Sequence, residues 1–436
     1  MFRKLRVKNF RSIRDSGDIE FSNLNIIVGP NNSGKSSILY ALLMVKQTLQ
    51  DKDPRSTLVT CGPNIDLGSY LDIVCGGDPK ERLGIEFEIK EEAFPSFAKV
   101  KFGKSDILPL TRFKINLFFK PQSNTIAVEA FEMGNKEETY QGVLEHGKWE
   151  LGGIREELKT HIRPVFDHFL PSFRGEGEAP DNKEIVEEGS NLFLTTRIQI
   201  SMLEEIFNEI LYVGPIREKI PRYDILGTTT YCELGPSGQN LMRVLSDLGK
   251  RGLSRRAVIK ELNYWLEKKF GILKNVRIQN VDRTGNVKAI LADDMRGEKK
   301  INLASMGSGL SQIVPVIVQT VLTRKRRCVI VEQPEIHLHP AAQADLGDLF
   351  VEYAKEDRQL IIETHSEHLI LRIRRRIAEK KIAPELVKIF LVEKEDGATK
   401  VKPLTFKGNG HFLDWPRGFF EEGYKEAMAL ADAQSK

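Results

Sequence analysis

The stretch LNIIVGPNNSGKSSILYALL, Leu24 to Leu43, decides how this chain is to be read. Four apolar residues and one asparagine lead into Gly29, which is the pattern of a short buried strand. From Lys35 to about Gln50, apolar residues recur every three or four positions (Ile38, Leu39, Leu42, Val45, Leu49), which predicts a helix with an apolar face. Between strand and helix, Gly29-Pro-Asn31-Asn32-Ser33-Gly34-Lys35-Ser36-Ser37 fits G-x-x-x-x-G-K-S without a mismatch. Glycines let backbone N–H groups curve around a phosphate, and the helix N-terminus adds positive potential. Lys35 is then the residue to reach the β and γ phosphates, and Ser36 the hydroxyl to offer to a divalent cation.

The rest of the chain suits a globular host for such a loop. Its 436 residues are 41% hydrophobic and 29% charged, with a net charge of only +4. That excludes a disordered tail or a fibre, and leaves any anionic partner to local basic clusters. The four cysteines, Cys61, Cys75, Cys232 and Cys328, show no paired metal spacing and fit buried thiols in a reducing cytoplasm. No apolar signal core follows the basic start MFRKLRVKNFRS. The apolar run Ile313–Leu322 falls short of the roughly 20 residues that span a bilayer, so it reads as a buried helix and no membrane partner is expected.

Periodicity divides the chain into three parts. Residues 1–150 carry alternating strands (LRVKNFRS, LGIEFEIK, RFKINLFF) around the phosphate loop, an antiparallel β lobe half-exposed to water. Residues 151–275 turn mainly helical, at IREELKTHIRPVFDHFL and SMLEEIFNEIL, with FRGEGEAPDNKEIVEEGS (173–190) as a loop between them. This block is a candidate dimerisation or partner-binding region. Residues 276–436 bring back short apolar strands, RRCVIVEQ and RQLIIETH, separated by a helix-length segment, as parallel strands with a crossover helix require. The expected class is α/β with a mixed sheet, an N-terminal antiparallel lobe and an inserted, mainly helical region.

Three further motifs carry chemistry. In CVIVEQPEIHLHP (Cys328–Pro340), Glu332 ends an apolar strand, where a carboxylate is expensive to bury unless it is paired or binds metal. A general base usually follows, yet Gln333 is an amide and cannot take a proton. Glu335 is the nearest carboxylate, either that base or the cap of the helix starting near Pro340. In IIETHSEHL, His365 stands at another strand end, placed to hydrogen-bond a γ-phosphate or an attacking water as a neutral donor. In INLASMGSGLSQIVPVI, the small residues Ser305, Gly307, Ser308 and Gly309 precede an apolar helix, a second phosphate-binding device. A single nucleotide rarely needs two such devices from one chain.

Taken together, GPNNSGKSS, the Ser305–Gln312 turn, VEQPEIHLHP and THS resemble the ABC-type ATPases of the SMC and RecF kind, most closely the ATPase module of the overcoming-lysogenization-defect (OLD) family. The resemblance implies ATP and Mg²⁺ as ligands, with Gly29, Asn31, Asn32, Ser33, Gly34, Lys35, Ser36 and Ser37 around the phosphates and Ser36 with Glu332 on the metal. It makes His365 the switch histidine. It implies a head-to-head homodimer, open to further assembly, in which Ser305 and Gly307 contact the other subunit's nucleotide and Leu338 and His339 cross the seam. The C-terminal DWPRGFFEEG (Asp414–Gly423) and YVGPIRE from Tyr212 resemble a subgroup often encoded near defence or DNA-processing enzymes; Trp415, Phe419 and Phe420 read as anchors of the C-terminus.

Two departures qualify the likeness. Gln333 replaces the family's second carboxylate, so Lys35, Glu332, Gln333, Glu335 and His365 are the catalytic candidates and slow turnover is expected. The stretch after His365 is too short for the metal-dependent cleavage domain of OLD nucleases, although KIFLVEKEDG echoes its first acidic strand. His337 and His339 do not have zinc spacing.

Basic clusters at 249–256, 324–327 and 371–381 suggest double-stranded DNA as a partner, bound by its backbone. The expectation is therefore an ATP-dependent switch in DNA-associated or anti-phage processes. The alternative is a regulatory scaffold that binds ATP structurally and restrains or activates a separately encoded nuclease or toxin.

Overall fold

Strand Leu24–Val28 sits inside a six-stranded sheet, buried along its whole length. Its neighbours are Gln359–Glu363 on one side and Val387–Glu395 on the other, both parallel to it. Beyond Gln359–Glu363 come Cys328–Glu332 and then Leu211–Val213, also parallel; Ala398–Leu404 closes the far edge antiparallel, so the sheet is mixed. The computed structural model describes residues 1–94, 100–102, 105–177, 182–228, 231, 233–248, 254–297, 299–406, 410 and 433. Trp415, Phe419, Phe420 and the rest of Asp414–Gly423 lie outside the described residues, as does Cys232.

The inner strands are mostly apolar because both faces are covered. Ile27, Ile330, Ile361 and Phe390 point to one core, while Ile26, Val28, Val329, Val331, Leu360, Ile362 and Ile389 point to the other. Each such side chain taken fully from water contributes about 2 kcal/mol. The first core packs the helix Lys35–Gln50, the long helix Lys183–Asn208 and the N-terminal β lobe; the second packs Ser308–Leu322, Pro340–Lys355 and Glu367–Ala378.

The N-terminal lobe is an eight-stranded antiparallel sheet. It runs Lys148–Gly152, Thr139–Glu145, Thr125–Gly134, Arg112–Lys120, Leu83–Ile89, Phe2–Phe10 and Ile13–Asp15, with Ile19–Glu20 also on Phe2–Phe10. Its strands alternate in burial as expected, Leu83–Ile89 and Arg112–Lys120 among them. The buried ammonium of Lys46, fully shielded from solvent, ties the phosphate-loop helix to the Ile210 carbonyl (2.6 Å) and the Glu233 carboxylate (2.7 Å).

Two expectations in residues 151–275 fail. Ile154–Leu170 is not a helix: a single helical turn, Glu156–Lys159, is followed by the hairpin Ile162–Asp167 and Leu170–Gly175. Pro164 explains this, since mid-helix it would remove a backbone donor and clash with the preceding turn. Conversely, the segment read as a loop up to Ser190 turns helical at Lys183, where the Asn182 side chain accepts from the Glu184 N–H (2.9 Å) and caps the helix. Helices Lys183–Asn208, Leu241–Asp247 and Arg255–Asn263 fill much of the block, but Leu211–Val213 belongs to the central sheet.

KIFLVEKEDG lies within the central sheet beside the phosphate-loop strand, and Lys402 pairs with its acids Glu393 and Glu395. Of the thiols, Cys328 is buried as expected, whereas Cys61 is exposed. Among the described residues no helix is long and apolar enough to cross a membrane.

Candidate nucleotide site

The phosphate loop leaves its strand at Gly29, whose φ of 150° and close approach to the Val392 carbonyl admit no side chain: a Cβ there would sit 2.0 Å from that oxygen. Gly34 has φ 101° at the start of the helix, where a Cβ would lie 2.5 Å from Thr399 Oγ1. Thr399, from the edge hairpin, donates its hydroxyl to the Ser33 carbonyl (2.7 Å) and is hydrogen-bonded to Ser12 Oγ (2.8 Å), bracing the loop from outside. Asn31 and Asn32 are exposed at its tip, and Ser33 and Ser37 are buried behind it. The loop opens onto a cleft of about 800 Å³ that Lys35, Ser36, Tyr40, Gln333, Glu363 and His365 help to line. The sequence-derived loop, amide and histidine therefore meet in one place.

Parallel strand pairing builds the acidic wall of that cleft. Gln359–Glu363 lies between the phosphate-loop strand and Cys328–Glu332, and Glu332 is the register partner of Glu363. Both carboxylates are 2% exposed. Glu332 Oε1 accepts from Tyr212 Oη (2.5 Å) and Oε2 from Tyr40 Oη (3.3 Å). Desolvation, then the neighbouring charge of Glu363, pushes Glu332 up to about 7, while the phenols and Arg217 act the other way. Burial also raises Glu363, against the Ser36 hydroxyl beside it and the charge of Lys35. Ser36, Glu332 and Glu363 form an all-oxygen set of the type a hard divalent cation takes.

Lys35 is 4% exposed and its ammonium bridges its own loop to the Pro30 carbonyl (2.7 Å). Burial lowers its pKa, and the Glu363 and Glu335 carboxylates oppose that. His365 is half-buried; desolvation first, then Lys35, lowers its pKa, which favours the neutral imidazole expected of a hydrogen-bonding switch.

Glu335 is 9% exposed and points inward. Its Oε2 accepts from Thr364 Oγ1 (2.8 Å) and its Oε1 from the His365 N–H (2.6 Å). It does not cap the next helix. That cap is His339, whose Nδ1 accepts from the Ala341 N–H (3.3 Å).

Gln333 sits at φ 43°, and its N–H donates to the Glu363 carbonyl (2.8 Å), so the amide leaves the strand end at a fixed angle.

Arg217 is a residue that sequence reasoning passed over within YVGPIRE. Only 5% exposed, it donates from Nη2 to the Glu332 carbonyl (2.5 Å), and burial brings it down to about 10. Its own carbonyl accepts from Gln312 Nε2 (3.1 Å), while the Ile220 N–H donates to Ser311 Oγ (3.2 Å). The segment after Leu211–Val213 thus fastens the Glu332 strand end to the helix Ser308–Leu322.

The small-residue turn before that helix is placed as expected but apart from the cleft. Gly307 caps Ser308–Leu322 in an extended conformation, Ser305, Gly307 and Ser308 are exposed, and Ser305 Oγ meets Arg222 Nη2 (3.2 Å). Neither Ser305 nor Gly307 lines the cleft of its own chain.

The basic clusters are largely paired. Arg372 and Arg376 face Asp348 (2.6 and 2.5 Å), Arg375 faces Glu379 (2.7 Å), and Arg324 and Arg326 face Glu209 and Asp357 (3.3 Å each). Residues 249–253 of the remaining cluster lie outside the described residues.

An OLD nuclease from Thermus scotoductus is 24% identical over 451 aligned positions, which cover 98% of this chain and 73% of the relative. The SMC head bound to the C-winged helix domain of ScpA superposes with a TM-score of 0.52 at 15% identity, covering 93% of this chain and 98% of that one. The SMC head domain from Thermotoga maritima aligns at a TM-score of 0.43 and 14% identity over 93% of this chain and 99% of its own. The fold is that of an SMC-like ATPase head, and the sequence resembles OLD. The family model described as AAA ATPase domain matches residues 1–199 and 254–370, and this chain belongs to that ATPase family.

Proposed function

We propose that this ATPase binds MgATP at Gly29–Ser37 and completes each site with the Ser305–Gly309 turn of a second copy, forming a head-to-head homodimer that hydrolyses ATP slowly and works as a switch. One observation carries the reading: an exposed, helix-capping small-residue turn lies outside its own chain's nucleotide cleft. A helix N-terminus of this kind suits a phosphate, and the second copy supplies one.

In this reading Lys35 and the loop N–H groups hold the phosphates, and Ser36 with Glu332 would hold Mg²⁺. Bound there, the ion would neutralise charge on the phosphates. His365, kept neutral, donates to the γ-phosphate or the attacking water. Gln333 orients that water but takes no proton, which supports slow turnover. Glu335, with both oxygens engaged, acts as a positioning residue for His365.

Residues 151–275 would present the partner-binding surface, through the groove between the Ile162–Gly175 hairpin and the helix Lys183–Asn208. The relative's name, OLD nuclease, and the SMC likeness support a DNA-associated or anti-phage role with double-stranded DNA as a ligand. The pairing of Arg372, Arg375 and Arg376 favours instead a scaffold that restrains or activates a separate nuclease or toxin, since few free cations remain on that helix.

Light-scattering mass with and without a non-hydrolysable ATP analogue and Mg²⁺ tests the pairing. A doubled mass only with nucleotide is expected, and a mass unchanged by nucleotide at tens of micromolar protein overturns it.

A further inference from the structure

Glu332 and Glu363 end adjacent parallel strands in register, yet they are engaged very differently. Both oxygens of Glu332 already accept phenol hydrogen bonds, from Tyr212 and Tyr40. Glu363 is as deeply buried, and among the described residues its Oε2 has no hydrogen-bond partner. A buried carboxylate oxygen left without a donor is costly, and a cation seated at this position would satisfy it.

The surroundings say which kind. Ser36, the hydroxyl of the phosphate loop, lies against the Glu363 carboxylate. Glu363 lines the cleft with Lys35, Ser36 and His365, whereas Glu332 does not. Among the described residues no cluster of three or more His, Cys, Asp or Glu side chains could hold a metal without outside help. A carboxylate beside the phosphate-loop hydroxyl, with a second one next to it in register, suits Mg²⁺ in nucleotide sites, where one or two carboxylates are completed by phosphate oxygens and water.

We propose that Glu363 is a second carboxylate of the magnesium site, the one that faces the cleft beside Ser36, with Glu332 held behind it by Tyr40 and Tyr212. The inference rests on the MgATP reading above and extends it to a residue that reading did not use. It also accounts for an acid at the end of a wholly buried strand, where a threonine or serine would be cheaper to bury.

The test is Mn²⁺ binding to the full chain in the presence of saturating ADP or a non-hydrolysable ATP analogue, followed by the EPR signal of free Mn²⁺. E363Q is expected to raise half-saturating Mn²⁺ by about tenfold or more. Its nucleotide affinity in EDTA should stay within about twofold of wild type or tighten, because a negative charge near the phosphates is gone. Mn²⁺ binding by nucleotide-loaded E363Q equal to wild type overturns the proposal. So does loss of nucleotide affinity in EDTA, which would make Glu363 a structural strut.

A wild-type chain that binds no nucleotide would instead sink the ATP reading itself. If E363Q does not fold, E363D keeps the charge but shortens the reach. Weakened Mn²⁺ binding then supports the proposal, and unchanged binding overturns it.

Discussion

Glu335 Oε1 accepts the backbone N–H of His365 at 2.6 Å, which ties the loop after the Glu332 strand to the loop after the Glu363 strand. With Thr364 on the other oxygen, the carboxylate has the geometry of a brace. Glu335→Ala should therefore destabilise the protein by on the order of 3 kcal/mol, through two orphaned donors. Glu335→Gln, whose amide oxygen can still accept from His365, should keep most of the turnover at saturating MgATP. A general base lost at this position would instead cost roughly 10² to 10⁴ in rate, and that result in E335Q, with nucleotide binding intact, would make Glu335 the base.

The raised Glu332 carboxyl gives the apo protein a pH signature. Its folded value of about 7 lies above the ordinary 4.5, so between those limits the folded state holds a proton that the unfolded state has released. Stability is then full below about pH 4.5 and declines as pH rises to 7, by on the order of 2 to 3 kcal/mol. Thermal unfolding across this range should show that decline in wild type and a shallower one in Glu332→Gln. MgATP should flatten it as well, since cation binding favours the ionised carboxylates. Equal slopes in wild type and E332Q would remove the titration from Glu332.

Gln333 stands where it can orient water but not deprotonate it. Gln333→Glu keeps the length of the side chain and the N–H bond to the Glu363 carbonyl, and should raise turnover by at least about tenfold, within the range a positioned base supplies. Steady-state phosphate release at saturating MgATP measures this. No increase, with binding unchanged, would mean that the amide is not what limits the rate.

If duplex DNA is a ligand, the cations that bind it are those without carboxylate partners. Among the described residues, Lys380 and Lys381, exposed just beyond the helix Glu367–Ala378, meet that description better than Arg375 or Arg376. Fluorescence anisotropy with a duplex and an ATP analogue should show weaker binding for Lys380→Glu with Lys381→Glu, and a log affinity falling linearly with log salt. Wild-type protein that binds no duplex at low salt would leave the scaffold reading in place.

Local patterns carried the sequence reading a long way, and topology explains where it stopped. The helix Lys35–Gln50, the strands around Glu332 and His365 and the turn at Ser305 are each encoded within a few neighbouring residues. The Ile162–Gly175 hairpin was hidden because its apolar residues also fit a helical spacing, against which only Pro164 and Pro171 spoke. Glu363 obeys the same rule that singled out Glu332, an acid ending a buried strand, and nothing local distinguishes it from an ordinary strand-end acid. Its significance depends on register with Glu332, a contact between distant segments. Tyr40, Tyr212, Arg217 and Thr399 act on the site through long-range hydrogen bonds that no local pattern announces.

The shared site is the centre of the account, and mixing two inactive chains tests it most directly. Ser305→Arg places bulk and charge on the exposed turn, and Lys35→Ala empties the phosphate loop; each alone should abolish hydrolysis while leaving the fold intact. In a head-to-head pair of one chain of each kind, one composite site carries both lesions and the other carries neither. Equimolar mixing under subunit exchange should therefore restore about a quarter of wild-type ATPase activity, since half the pairs are mixed and each has one intact site. No recovery, with exchange confirmed by labelled subunits, would contradict a nucleotide held between two copies of this chain.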